Sequence, residues 1–416
     1  MRDKPVSAII VSYNDRTIMA RCLDALTAQC VVPGDEIIAV DNGSTDGVQG
    51  DLRQRAKESR LSSAARIEAA GAGRHAFSEV PAPRFLLVEN GENTGFPVGC
   101  NTGFAAAAAG NDIFLLNNDA VLAAEALEHL WQALYSAEDI GAAGPVSNNA
   151  LEQCEPGIRR DASVEEALSF GEGLGARREG LLQPRTPYEY RSRLTGFAVL
   201  IKRASLDRLV AQDGHFLDPR FSPGYFEDED LGMRLALAGY RQILCHDAFV
   251  YHKGGTGFAS HPEAMMRGRQ QFMDKWGFDV WDYIGTLPDH EEALRELAKR
   301  RGIHSSAPLR VLDLYCGMGV NAAHLQYLYP QCTVIGIEPE PVIAQIAATL
   351  IDVICEDPEE ALTNAGRSGT PEAAVLRPGT FDLILAWEAC RIARDGNILR
   401  EGLRKLLKPD GLLAEC

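Results

Sequence analysis

The sequence lacks the excess of basic residues that a nucleic-acid-binding surface requires. It has 41 Lys and Arg against 58 Asp and Glu, which gives a formal net charge of −17. Proteins that bind nucleic acid neutralise phosphates with a basic face, so this composition argues against that class of partner. A nucleotide ligand is still allowed, because a divalent cation can bridge acidic side chains and a diphosphate.

Long apolar runs and paired cysteines are also missing. No run of about 18 or more apolar residues occurs, so we predict no transmembrane segment. The first residues pass directly into a strand pattern and do not resemble a cleavable signal. The 10 cysteines contain no CxxC pair, which indicates reduced thiols and disfavours a structural zinc site. Together these absences predict a cytoplasmic protein.

Strand and helix patterns alternate through the first part of the chain. The apolar runs that are typical of buried parallel strands are 6–12, 36–44, 84–90 and 112–119. Segments with helical spacing follow them, which predicts an α/β fold with a parallel sheet and a ligand at the carboxyl ends of its strands. The irregular stretch 145–192 is expected to be an excursion that shapes an acceptor site.

A change in composition near residue 285 predicts a second domain. Residues 290–302 have the pattern of a charged helix that ends at Gly302, and SSAP (305–308) is typical of a linker. A new strand, glycine turn and helix begin at residue 309. We therefore predict a first domain over 1–288, a linker helix over 289–306 and an incomplete Rossmann-like domain over 307–416.

Polar residues follow each of the four strands predicted in the first domain. They are Tyr13-Asn14, Asp41-Asn42-Gly43-Ser44, the segment Asn93–Asn101, and Asn117-Asn118-Asp119. Each group taken alone is more typical of a turn. The carboxyl ends of parallel strands, however, meet at one edge of a sheet, so these groups can face one ligand.

In this order the sequence strongly resembles family 2 glycosyltransferases of the GT-A fold. The matching segments are VSAIIVSYN (6–14), VDNGSTDG (40–47), NTGFPVGCN (93–101), LLNNDAVL (115–122), TGFAVLIKR (195–203), FEDEDLGMRLALAGY (226–240) and FVYHKGG (249–255). They are similar to rhamnosyl- and galactofuranosyl-type enzymes that build bacterial surface glycans. The resemblance implies an inverting transfer of a sugar from a nucleotide diphosphate donor to a hydroxyl of a glycan, lipid-linked or protein acceptor. A lipid-linked acceptor would imply peripheral association with the inner face of the cell membrane.

The resemblance also implies roles for individual residues. Asp41 is expected to accept a hydrogen bond from the base, and Tyr13 to stack on it, with a plain core tyrosine as the alternative. Asp119 matches the metal-binding carboxylate of an Asp-x-Asp motif whose first position is Asn117 here, and His252 matches the last ligand of Mn²⁺ or Mg²⁺. The other residues expected at the nucleotide-sugar site are Asn93, Gly95, Asn118 and Gly196.

Four consecutive acids, Glu227 to Asp230, are the candidates for proton transfer. A helix start favours carboxylates through its dipole, which explains part of the run without catalysis. The match to the family's Glu-Asp-x-Asp-Leu pattern implies that Asp228 is the base and that Glu227 contacts the acceptor or orients the loop. Asp230 is expected to brace the helix, with Arg234 one turn away as its partner.

Two other functions stay open for the first domain. One is a nucleotidyltransferase-like enzyme, against which the acidic run and the lack of a basic glycine-rich loop both argue. The other is a non-catalytic nucleotide-binding scaffold that presents the second domain, which the acidic run and His252 disfavour. Metal-dependent hydrolysis of the donor would distinguish the scaffold from an enzyme.

The second domain carries VLDLYCGMGVNAAHL (311–325), a strand that leads into a glycine-rich turn. Gly317-x-Gly319-x-x-Ala322 fits a loose dinucleotide fingerprint, but the fuller pattern resembles class I S-adenosylmethionine-dependent methyltransferases. The resemblance implies that this cofactor is bound by Asp313, Gly317, Gly319, Glu338 at the ribose and Asp357 near the adenine. A bifunctional glycosyltransferase and methyltransferase fragment is therefore a further alternative.

Overall fold

The computed structural model describes two compact units. The described residues are 1–71 (61–71 as backbone), 82–174, 187–254, 262–285, 287–302, 307–367, 369–387, 389 and 393–415. The first unit comprises Met1–Ala176 and Arg193–Val280, and the second comprises Arg177–Ser192 and Trp281–Cys416. The second unit thus begins before the boundary predicted at 288 and includes part of the predicted excursion 145–192.

The first unit is organised around a mixed sheet. Its strands are β1 (Val6–Ser12), β2 (Glu36–Asp41), β3 (Arg84–Glu89), β4 (Asp112–Leu116), β5 (Ala120–Leu122), β6 (Ile140–Val146), β8 (Ala198–Ile201) and β9 (Arg241–His252), while β7 (Tyr188–Arg191) belongs to the second unit. Their order in the sheet is β3-β2-β1-β4-β8-β6-β9-β5. Strands β1 to β4 are mutually parallel, as predicted, whereas β8 runs antiparallel to both β4 and β6.

Helices cover the sheet of the first unit. They are α1 (Arg16–Gln29), α2 (Val48–Gly71), α3 (Phe96–Ala106), α4 (Ala126–Leu134), α5 (Val164–Glu172), α6 (Arg203–Asp213), α7 (Glu227–Leu237) and α8 (Pro262–Trp276). Helix α3 lies close to the sheet because Gly103 has no side chain: a Cβ there would be 2.4 Å from Ile9 Cγ2. Ile9 and Val40 are fully buried beneath it.

The second unit contains a parallel sheet. Its strands are β10 (Leu309–Leu314), β11 (Cys332–Ile337), β12 (Asp352–Ile354), β13 (Phe381–Leu385) and β14 (Leu407–Ala414), in the order β12-β11-β10-β13-β14. The helices are α9 (Pro288–Arg301), α10 (Val320–Leu328), α11 (Pro341–Ala347), α12 (Pro358–Ala365), α13 (Pro371–Val375) and α14 (Gly396–Leu406). All four strand pairings are parallel, which agrees with the Rossmann-like prediction.

The predicted linker helix is part of this second core. Helix α9 ends before Gly302, as predicted, and that residue adopts the left-handed conformation with φ 62°. Leu294 and Leu297 are fully buried and pack in a cluster with Val311. Burial of these side chains removes apolar surface from water, so α9 is a structural element of the unit and not a free connector.

Within the described residues, no helix is both long and apolar enough to cross a bilayer.

Candidate active site

The ends of β1 and β2 are joined through a polar turn. Asn14 has a φ of 65°, in the left-handed region that asparagine tolerates better than most residues. Its backbone N–H donates to Ser44 Oγ at 2.9 Å, and its Oδ1 accepts from the Thr45 N–H at 2.8 Å. Tyr13, beside it, is 49% exposed. The alternative of a core tyrosine does not agree with that exposure.

Asp41 is buried at the end of β2, with 1% of its surface exposed. Its Oδ1 accepts a long hydrogen bond of 3.3 Å from the Ser44 N–H, and its Oδ2 accepts from Gln49 Nε2 at 3.1 Å. A carboxylate has about four acceptor sites. Asp41 therefore shapes the turn and retains capacity for a further donor.

Asn42 is a structural centre that the sequence analysis did not single out. Its Nδ2 donates to Asn93 Oδ1 at 3.2 Å and to the Gly95 carbonyl at 3.1 Å. Its Oδ1 accepts from Asn90 Nδ2 at 2.8 Å and from Thr94 Oγ1 at 2.9 Å. Asn93 also accepts the Gly95 N–H at 3.0 Å, so its side chain is engaged within the loop.

Gly95 allows a second loop to approach this edge. Its φ is 86°, and a Cβ there would lie 2.7 Å from Pro223 Cα. The Phe96 N–H donates to the Pro223 carbonyl at 2.8 Å. Glycine is required here because any side chain would meet the backbone of the loop that leads into α7.

The predicted metal-binding residues lie together at the ends of β4 and β9. His252 Nε2 is 3.4 Å from Asp119 Oδ1 and 3.5 Å from Asn117 Nδ2. On its other side, His252 Nδ1 lies 2.7 Å from the Asn149 carbonyl. That contact favours a proton on Nδ1 and leaves the Nε2 lone pair directed at Asp119, the arrangement typical of metal-binding histidines.

These residues fit a divalent cation. Asp119 is 5% exposed, and its Oδ2 accepts from the Gly254 N–H at 3.1 Å. Asn117 Oδ1 is buried without a hydrogen-bond partner. The oxygen and nitrogen of an amide can exchange places by rotation of the side chain, so this oxygen is available to a cation. Oxygen and imidazole ligands suit Mn²⁺, and Mg²⁺ keeps several water molecules. The part of the chain that is described contains no group of three His, Cys, Asp or Glu side chains placed to hold a metal.

Two neighbours hold the predicted metal-binding residues in place. Asn118 Nδ2 donates to the Asn14 carbonyl at 3.1 Å, which ties the end of β4 to the end of β1. Asn148, which the sequence analysis missed, accepts the His252 N–H at 2.9 Å and donates to the His252 carbonyl at 3.1 Å. The three polar residues 147–149 directly after β6 were the available signal.

Asp228 lies in the first turn of α7. Its Oδ2 accepts from the Gly196 N–H at 3.1 Å, and its Oδ1 accepts from the Glu229 N–H at 3.1 Å. Glu229 Oε1 is 2.9 Å from Arg193 Nη1, in a pair that is almost fully buried. Arg193 is a second residue of the site that sequence reasoning missed.

The pKa values of the three neighbouring acids shift in different directions. Burial raises the pKa of Glu227 to about 8, and the charge of Asp228 adds to the rise. Burial and Asp228 also raise the pKa of Glu229. For Asp228 burial acts in the same direction, but hydrogen bonding from Glu229 and the charge of Arg193 outweigh it, so the pKa falls below its usual value. Of the three carboxyls, Asp228 is therefore the one whose ionised form the site favours.

Asp230 braces the helix more strongly than predicted. It is fully buried, accepts from Trp276 Nε1 at 3.0 Å and pairs with Lys275 Nζ at 2.6 Å. Arg234 Nη1 is 3.6 Å away, so the predicted pair is present. Arg234 is closer to Asp213, at 2.6 Å.

Two adjacent residues connect the acid cluster with the metal-binding residues. The Gly196 N–H binds Asp228, and the Phe197 carbonyl accepts from the Asn117 N–H at 2.7 Å. The Phe197 ring stacks on His252, with centroids 4.9 Å apart and planes 27° from parallel. Asp228 and the Asp119–His252 pair are therefore linked through one loop and can face the same ligand.

The sequence of this unit matches a known family. The model of glycosyl transferase family 2 matches residues 7–209. The matched range includes Asp119 and Gly196, while Asp228 and His252 lie beyond it.

Solved structures resemble both parts of the chain. The mannosyltransferase PcManGT from Pyrobaculum calidifontis, in complex with GDP-Man and Mn²⁺, is 18% identical, with 90% of this chain and 79% of that chain covered and a TM-score of 0.39. TarS from S. aureus is 12% identical, with 71% and 79% covered and a TM-score of 0.39. A SAM dependent methyltransferase from Aquifex aeolicus is 21% identical, with 30% and 62% covered and a TM-score of 0.23. A search of curated proteins gives no match.

The residues predicted to bind S-adenosylmethionine also lie at one edge, that of the second unit's sheet. Asp313, in β10, is 2% exposed, and its Oδ1 is 3.4 Å from His290 Nε2. Gly317 and Gly319 have φ of 56° and 76° in the turn that leads to α10. Glu338 follows β11, and Asp357 caps α12 by accepting the Glu359 N–H at 2.9 Å.

Proposed function

We propose that the first unit is an inverting glycosyltransferase that moves a sugar from a nucleotide diphosphate donor onto an acceptor hydroxyl. The observation that carries this proposal is the loop Gly196-Phe197, which contacts both Asp228 and His252, the proposed base and the proposed metal ligand. The family 2 sequence of residues 7–209 supports the class of reaction.

The donor's nucleotide is assigned to the ends of β1 and β2. Tyr13 is exposed there and can stack on the base. Asp41 can accept an imide N–H of uracil or thymine, because its carboxylate has acceptor capacity beyond its contacts with Ser44 and Gln49. Asn93 and Gly95 support this edge through the loop that they form with Asn42.

The diphosphate is assigned to the ends of β4 and β9. His252 Nε2, Asp119 Oδ1 and the side-chain oxygen of Asn117 would hold Mn²⁺ or Mg²⁺. The cation would supply neutralisation of the negative charge that develops as the diphosphate leaves. The replacement of the first motif carboxylate by Asn117 lowers the negative charge around the cation, so donor phosphates must contribute to its binding.

Asp228 removes the proton of the acceptor. As the acceptor oxygen forms its bond to the anomeric carbon, the bond from that carbon to the diphosphate oxygen breaks and its electron pair leaves with the diphosphate. The acceptor's proton moves to Asp228, which is ionised at neutral pH and therefore able to accept it. Attack opposite the leaving group inverts the configuration of the sugar.

The acceptor class follows from the family resemblance, which favours a surface glycan, a lipid-linked glycan or a glycoprotein. Transfer to a lipid-linked acceptor would take place at the inner face of the cell membrane.

Substitution of Asp228 by Asn tests the proposal. We expect this variant to bind a nucleotide diphosphate with Mn²⁺ as the wild type does but to lose sugar transfer by about 100-fold or more, since general base catalysis contributes that much. Asp207→Asn, on the surface of the same unit, is the control and should transfer sugar normally. If Asp228→Asn transfers sugar at the wild-type rate, Asp228 is not the base. Wild-type protein that binds the nucleotide but neither transfers sugar nor hydrolyses the donor would favour the scaffold alternative.

A further inference from the structure

The second unit's sheet edge has a tyrosine where its glycine turn begins. Tyr315 directly follows β10 and has a φ of 55°, in the left-handed region that residues with a Cβ rarely adopt. Its hydroxyl donates to Asp357 Oδ2 at 3.3 Å. The side chain is half-buried and packs against the apolar cluster that contains Ile337 and Ala361.

This contact crosses the edge of the sheet. Asp357 follows β12, and β11 lies between β12 and β10 in the sheet. Neighbouring strands are about 4.8 Å apart, so the Tyr315 and Asp357 side chains together bridge roughly 10 Å past the end of β11. Ligands of open parallel sheets bind in the crevice outside these strand ends, which is the side on which Tyr315 meets Asp357.

Glu338, at the end of β11, is also buried and bound to the backbone on both oxygens. It is 3% exposed, its Oε2 accepts from the Gly317 N–H at 3.1 Å, and its Oε1 accepts from the Glu340 N–H at 3.0 Å. A carboxylate that holds a ribose needs its oxygens directed at two hydroxyls of the ligand. In this unit each oxygen accepts one backbone N–H, and the 3% exposure of Glu338 keeps its remaining acceptor sites away from a ligand.

A second aromatic ring covers the glycine turn. A Cβ on Gly317 would lie 3.3 Å from Cδ1 of Tyr283, so the Tyr283 ring is in contact with the turn itself. Because Gly317 has no side chain, Tyr283 can pack against the turn. In a cofactor-binding turn, the same space is left for the ligand.

The residues at this edge do not fit S-adenosylmethionine in the arrangement that the structure shows. We propose that Tyr315, together with Tyr283, closes the nucleoside site of the second unit, so that the unit retains the fold of a methyltransferase without binding the methyl donor. This inference concerns the second unit alone and does not depend on the proposed glycosyl transfer.

Titration of the full chain with S-adenosylhomocysteine by calorimetry tests the closure. We expect no binding heat from the wild type. Tyr315→Gly removes the ring and suits the left-handed φ, so it should gain measurable binding, and Tyr315→Asn should behave similarly because asparagine tolerates that φ. Tyr315→Phe is the matched control: it keeps the ring, loses only the bond to Asp357, and should remain unable to bind.

Each result supports or overturns the proposal. Gain of binding by Tyr315→Gly or Tyr315→Asn, with none by the wild type or Tyr315→Phe, supports it. Binding by the wild type that disappears in Glu338→Gln overturns it, and this arm needs no variant at position 315 to fold. Failure of a folded Tyr315→Gly, Tyr283→Ala double variant to bind would also overturn it, because the tyrosines would then not be the obstacle. Circular dichroism establishes that each variant is folded.

Discussion

Glu227 makes the stability of the first unit depend on pH, and Glu227→Gln should remove that dependence. The carboxyl is buried beside Asp228, and the burial raises its pKa from 4.5 to about 8. Between these values the unfolded chain has an ionised Glu227, whereas the folded unit keeps the proton. The folded state therefore binds more protons, and the free energy of unfolding falls as the pH rises from 4.5 to about 8.

The size of the effect follows from the pKa rise. One pKa unit corresponds to about 1.4 kcal/mol, so the full rise corresponds to roughly 5 kcal/mol as an upper value. Glutamine has a similar shape and no charge to bury. The free energy of unfolding of the wild type should therefore fall as the pH increases, while that of Glu227→Gln should not change for this reason. The difference between the two proteins should move in favour of the variant by several kcal/mol between about pH 5 and pH 9.

Urea unfolding of both proteins at several pH values measures this difference. The chain has two units, so two unfolding transitions are expected. The transition of the first unit is identified as the one whose midpoint rises on addition of nucleotide and Mn²⁺. Glu263→Gln, which replaces an exposed glutamate of the same unit, is the control and should follow the wild type at every pH. If Glu227→Gln and the wild type lose stability in parallel as the pH rises, then Glu227 is not protonated in the folded unit and the charge assignment of the acid cluster is wrong.

Two further substitutions test the cation site and the packing of the first unit. His252→Ala should raise the Mn²⁺ concentration needed for half-maximal transfer at least 10-fold, because it removes the Nε2 that faces Asp119. An unchanged requirement in a metal titration would exclude His252 as a ligand. Gly103→Val should lower the stability of the first unit by about 1–3 kcal/mol, since its side chain would overlap Ile9. Gly110→Ala is the control in the same unfolding assay, because a Cβ there meets nothing within 4 Å.

Much of the fold was predictable from local patterns. The apolar runs predicted β1 to β4 and their parallel arrangement, since buried parallel strands have near-continuous apolar sequences. The glycine turn after β10 and the end of α9 before Gly302 were predicted for similar reasons. Each of these features depends on residues that are close together in the chain.

Other features depend on contacts between distant residues. Strand β8 has an apolar sequence like its neighbours, and only its place between β4 and β6 shows that it runs antiparallel. The charged surface of α9 suggested a linker, but Leu294 and Leu297 are buried in the second core. Segment β7 lies far from residue 281 in sequence, yet it belongs to the same unit, where Glu189 binds His324 at 2.7 Å.

The candidate sites divide in the same way. The sequence by itself determined which residue types stand at the strand ends, because turns and helix starts are local and their polar residues are conspicuous. Only the tertiary structure decided which of them meet: His252 faces Asp119, Arg193 pairs with Glu229, and Tyr315 reaches Asp357. The charge on each acid was likewise decided in three dimensions, since a pKa depends on burial and on neighbouring charges that the order of residues does not reveal.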